Sequence, residues 1–191
     1  MKRGKVALSS GDEIIPLCIE LLMERLHSSN GAERQRAREA LGKIGKQATP
    51  FILPSLMHPD RHIRWEVCKI LEHIRDPNAA QRLTIVLLDE DMDVRWVAAA
   101  ALIELEHHAV EPLLEMIEVH FDSAVFREAA HHVLHALKES HLLDGPTENV
   151  YKALKVNELP SKAAFAAIQA LDHRRSHSTM ERYHSILTSH H

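Results

Sequence analysis

His131 and His135 stand four residues apart, the spacing at which two imidazoles on one helix can reach a common metal ion. Glu128 and His132 would share their side of that helix. The chain is rich in histidine, with 16, so one such pair arises readily without a metal to hold, and the expectation is a solvated pair and no cofactor. Glu111, Glu115 and Glu118 recur at i+4 and i+3 and would form an acidic strip along a second helix. Such a strip could line a groove, or simply face water.

Other chemistry finds no residues to carry it. The sequence holds no glycine-rich phosphate loop, no Gly-x-Ser-x-Gly elbow and no Cys-x-x-Cys pair. Arg34, Arg36, Arg38, Lys43 and Lys46 cluster, as do Arg174, Arg175 and Arg182, but Glu33, Glu39, Asp172 and Glu181 dilute them. With a net charge of −4 there is no overall field to recruit nucleic acid or an acidic membrane. No run of about 18 apolar residues is present to span a bilayer, and Met1–Ser10 lacks the apolar core of a secretory signal. Cys18 and Cys68, the only cysteines, fall in helical runs and read as unpaired buried thiols of a cytoplasmic protein.

What positions these side chains is a repeat. Asn30…Arg34…Ala37…Leu41…Ile44 is echoed by Asp60…Arg64…Val67…Leu71…Ile74, then by Asp91…Arg95…Ala98…Leu102…Leu105. A looser copy follows at Arg127…Ala130…Leu134…Leu137. A period of roughly 30 residues signals a stacked array. In each copy one apolar face at i, i+4, i+7, i+8 marks a first helix, and Asn30, Asp60 and Asp91 sit where a side-chain oxygen caps it. A break follows (Gly45-Lys46, Asp76-Pro77-Asn78, His107-His108), then a second apolar run over 50–57, 79–88 and 109–119. Pro50 and Pro112 suit the first turn of such a second helix. A hairpin this short cannot bury both faces alone, so neighbours must stack. The fold expected is all-α, an α-solenoid of about five helical hairpins.

The pattern Asp-x-x-Ile/Val-Arg…Ala/Val…Leu, then Asp-Pro-Asn-Ala, then Pro-x-Leu-Leu resembles the short bacterial HEAT-like repeat named after the phycobilisome lyases. The resemblance covers roughly residues 12–138. It implies that Arg34, Arg64, Arg95 and Arg127 form a structural ladder, each bonding an acidic or Asn residue of a neighbouring turn. The His-Glu dipeptide that ligates iron in HEAT-like deoxyhypusine hydroxylases occurs nowhere in this chain.

The expected division is a tail at 1–11, one repeat domain at 12–187 and a tail at 188–191 that could be a purification-tag stub. Within the domain lie a half repeat at 12–28, opened by a capping box at Ser10-Gly-Asp-Glu13, and units at about 30–57, 59–88, 90–119, 121–156 and 160–187. In the last unit Ala163–Leu171 would pair with a separate helix over Ser178–Leu187.

Trp65 and Trp96 are the only tryptophans and hold equivalent positions one period apart. At about 100° per residue both lie opposite the core arc of their helices, and Ile103 shares the side of Trp96. That outward face is the expected partner-binding surface, either for a homodimer or for a separate protein. The function expected is a non-catalytic protein-binding scaffold or adaptor. The alternative implied by the resemblance is an accessory subunit of a bilin lyase or isomerase, with a companion chain and a tetrapyrrole pocket. A nucleic-acid-binding HEAT-like protein stands third.

Overall fold

The computed structural model describes residues 11–155 and 158–188. Its helices are α1 (Gly11–Arg25), α2 (Gly31–Ile44), α3 (Thr49–Ile52), α4 (Arg61–Ile74), α5 (Ala80–Val86), α6 (Met92–Glu104), α7 (Val110–His120), α8 (Ala124–Glu139), α9 (Gly145–Ala153) and α10 (Pro160–Thr188). No strand occurs among the described residues. Ser10, the expected cap of α1, lies outside them.

The starts of the first helices follow from their caps. Asn30, Asp60 and Asp91 each accept the N–H two residues on, at 2.9 Å. Ser123 and Asp144 accept the N–H three residues on, from Phe126 and Thr147. Each cap supplies one of the acceptors that the first turn lacks. The helices end at a corner with positive φ: Gly45 (73°), Arg75 (54°), Glu106 (54°) and His141 (59°). Only the first is a glycine, so the other three hold L-residues in a conformation costing about 1 kcal/mol or more.

The two layers follow from the apolar arcs. In α4, Ile63, Val67, Ile70, Leu71 and Ile74 are all buried. Helices α2, α4, α6 and α8 lie side by side in the first layer. Helix α1, α3 with the 3₁₀ turn Leu53–Met57, α5 and α7 form the second layer. Pro54 interrupts the second run of the first full copy, since it brings no N–H to a helical ladder. The core between the layers includes Leu41, Leu71, Leu83, Leu102, Leu113 and Leu134, all fully buried. This is an α-solenoid.

The C-terminal end departs from the expected hairpin at 160–187. Helix α10 runs unbroken through it and packs on α7 and α9. Asp172-His-Arg-Arg-Ser-His-Ser178 reads as a polar turn but contains neither glycine nor proline to stop a helix. Ser176 and Thr179 donate to the carbonyls of Asp172 and Arg175, four residues back, so their hydroxyls are satisfied inside the helix.

Candidate functional site

The repeated arginines act first on the linkers that precede their own helices. Nη1 donates to the carbonyl six residues back in all four copies: Arg34 to Ser28 (2.8 Å), Arg64 to His58 (2.9 Å), Arg95 to Asp89 (2.7 Å) and Arg127 to Phe121 (2.7 Å). In three copies it also reaches the carbonyl five residues back. Bonds from one repeat to the next are less uniform. Arg64 meets Asp89 with Nε at 2.6 Å and Nη2 at 2.8 Å, and both side chains are buried. That pairing holds the Arg64 guanidinium above its ordinary pKa despite burial. Arg34 approaches Glu66 at 3.4 Å, beside the shorter 2.6 Å bond from Arg38. For Arg95 and Arg127 only carbonyl bonds occur among the described residues.

The two tryptophans share a side of the first layer and differ in what surrounds them. Trp65 is half-buried, with the Arg38 guanidinium 5.5 Å from its ring centroid. It borders a polar hollow with Arg61, His62, Glu66 and Asp93. Ile103 is also half-buried against the core. Trp96 is 51% exposed and meets the His132 ring edge-on at 4.4 Å. Trp96 belongs to a separate hollow of about 260 Å³ between α6 and α8, with Met92, Val125, His131, His132 and His135. On this side the bare apolar surface is thus concentrated around Trp96 and does not run evenly through both tryptophans and Ile103.

Sequence spacing could not place Tyr151 in this neighbourhood, because it comes from α9. Its ring stacks on His131 (4.8 Å between centroids) and His135 (5.9 Å), and its hydroxyl lies 3.3 Å from Nδ1 of His135. The imidazoles of His131 and His135 are nearly parallel, with centroids 6.3 Å apart. Burial, then the neighbouring His135, pushes the pKa of both His131 and His132 down. Imidazoles, a tyrosine and a half-exposed indole make a surface for an apolar or aromatic side chain. Among the described residues no group of three or more His, Cys, Asp or Glu could hold a metal ion.

The acidic residues of α7 do not converge. Glu115 accepts a long 3.4 Å bond from Gln81 of α5, while Glu111 and Glu118 are exposed. Cys68 is buried, and burial followed by the nearby Asp89 carboxylate raises its thiol pKa. Cys18, expected to be buried like Cys68, is instead exposed on α1, whose outer side no described helix covers.

A two-layer stack of short hairpins, capped by Asn, Asp or Ser and tied by a recurring arginine, defines a helical-repeat protein. Residues 19–103 match the family model described as HEAT repeats, so that stretch carries HEAT-like repeats. Among solved structures it is similar to a chain in the complex of CpcE and CpcF of phycocyanin lyase from Nostoc sp. PCC7120. The two are 24% identical with a TM-score of 0.55, over 82% of this chain and 98% of that one. This likeness is one of fold. No curated protein matches the sequence.

Proposed function

We propose that this HEAT-like repeat protein is a protein-binding accessory subunit of a bilin-lyase type of assembly, working beside a companion chain. The observation that carries this reading is the fold likeness to a subunit of the CpcE–CpcF complex, which extends over 98% of that subunit. That subunit comes from a complex of two lyase chains, and this protein carries exposed apolar surface suited to a similar pairing. The second reading is an adaptor without any tetrapyrrole, bound through the outer face of the first layer. It draws on Trp96, a large half-exposed aromatic in a hollow rimmed by histidines, as an anchoring point for a partner or a second copy.

Mixing the purified protein with an open-chain tetrapyrrole separates the two. The lyase-type reading expects a shifted and sharpened visible absorption, alone or once a companion chain is added. An unchanged spectrum in both cases, with a protein partner recovered from the source cell, favours the adaptor.

A further inference from the structure

Helix α1 stands in the second layer with no first-layer helix before it among the described residues. The consequence can be read by comparing equivalent positions. Counting back from the caps Asn30, Asp60 and Asp91, Cys18 corresponds to Ala48 and Ala79, and Leu22 to Ile52 and Leu83. Those four inner residues are fully buried. Cys18 is exposed, Leu22 is only half-buried, and Leu21 is 52% exposed. On α2, Ala40 is half-buried where its counterparts Ile70 and Ala101 are fully buried. Together Cys18, Leu21, Leu22, Ala37 and Ala40 floor a groove of about 450 Å³ along α1 and α2, with Arg25 and Arg36 at its sides against one carboxylate, Glu33, which already accepts from the Ser28 hydroxyl.

The charge at this groove indicates what fits it. In the next repeat, α2 lies against α4 and brings Arg34 and Arg38 onto Glu66, which is only 5% exposed. One period earlier, the position of Glu66 is held by Arg36. Arg36 donates to the carbonyl of Ala32 in its own helix and meets no carboxylate among the described residues. The junction is therefore reversed in sign. A helix laid against α2 as α2 lies against α4 would present carboxylates, four residues apart, where Arg34 and Arg38 stand. Residues 1–10 contain lysine and arginine but no Asp or Glu, so their sequence does not supply that pair.

We propose that the groove between α1 and α2 is a berth for an acidic amphipathic helix of a partner protein, held by Arg36 over an apolar floor. The proposal rests on the protein-binding reading above and is independent of any tetrapyrrole. Its probe is a labelled synthetic peptide of residues 28–46 carrying Arg34→Glu and Arg38→Glu, with the unsubstituted peptide as the charge control. Fluorescence anisotropy with the full chain is expected to show the glutamate peptide binding at least tenfold tighter than the control. Arg36→Glu in the chain should invert that preference, and Arg36→Gln should abolish it. Saturating peptide should also slow thiol labelling of Cys18 at least fivefold, with Cys68 unreactive throughout. Absence of binding, equal binding of both peptides, a preference untouched at Arg36, or an unprotected Cys18 would each overturn the berth. Circular dichroism verifies that the variants are folded. The tetrapyrrole assay is scored separately, so a failed berth and a failed lyase-type role give different results.

Discussion

Arg64 grips Asp89 through both Nε and Nη2, 25 residues apart in sequence and buried on both sides. The same guanidinium holds the carbonyls of His58 and Pro59, so one side chain ties together the linkers at both ends of a repeat. Arg64→Ala should destabilise the fold by about 3–5 kcal/mol, since a buried carboxylate would lose its charged partner. Arg127, with its one carbonyl bond, should cost roughly 1 kcal/mol when replaced by Ala. Urea denaturation of both variants checks the ranking, and equal losses would refute it.

Trp96 contributes little to the core and much to the outer surface. Trp96→Glu is expected to shift the melting temperature by under about 3 °C, because a half-exposed residue gives up little burial. Capture of the partner, or self-association if the partner is a second copy, should be lost. Light scattering and pull-down with circular dichroism as control measure this, and unaltered assembly would move the binding surface elsewhere.

The histidines around Trp96 set a pH dependence. The folded pKa values of His131 and His132 lie below their ordinary value of about 6.5, with burial the leading cause. As pH falls through that value the unfolded chain binds protons before the folded one does. Stability is therefore fully present above about pH 6.5 and is lost as pH drops toward the folded pKa values. Urea midpoints at pH 7.5 and 5.5 should differ in that direction. The paired substitutions His131→Gln and His132→Gln should flatten the difference. Asp144, whose carboxylate is held down by the Thr147 bonds against the opposing effect of burial, acts only at more acidic pH.

The left-handed corners offer a stabilising change. Glu106 sits at φ 54° where the first copy has Gly45, and its side chain is exposed. Glu106→Gly should raise stability by roughly 0.5–1 kcal/mol, the relief of a left-handed L-residue less the added freedom of the unfolded chain. Thermal melts would detect it as a small upward shift.

The repeat was legible because its signals are local: a cap, an arginine and an apolar arc at helical spacing. Gly45 marked its corner in the sequence, whereas Arg75, Glu106 and His141 carry no such mark. The continuity of α10 was hidden because a polar stretch without glycine or proline suits an exposed helix as well as a loop. Trp96 could be placed opposite its core arc by counting, yet its neighbours could not. His132 comes from α8 and Tyr151 from α9, and which helix crosses which is set by packing across the stack. The α1–α2 groove was invisible for a related reason. Leu21 and Leu22 lie in an apolar run, and only the stacking of the helices decides which side of that run is left uncovered.

Helix α10 spans 29 residues, about 43 Å, against 11 residues for α7 and 9 for α9, on which it rests. Over residues 160–181 its buried side chains, Ala163, Ala167, Ala170 and Leu171, come early, and residues 175–181 are exposed. The turns over residues 175–181 therefore share little in the cooperativity of the stack and should open on their own. A protease would sense this as a difference in timescale. Trypsin at low dose should clip at Arg175 within minutes and leave a trimmed protein whose melting temperature is unchanged. Arg64, closed in by Asp89, should survive until the whole molecule unfolds. The chain would then wear from one end, in a fixed order of bonds, while its repeats stayed intact.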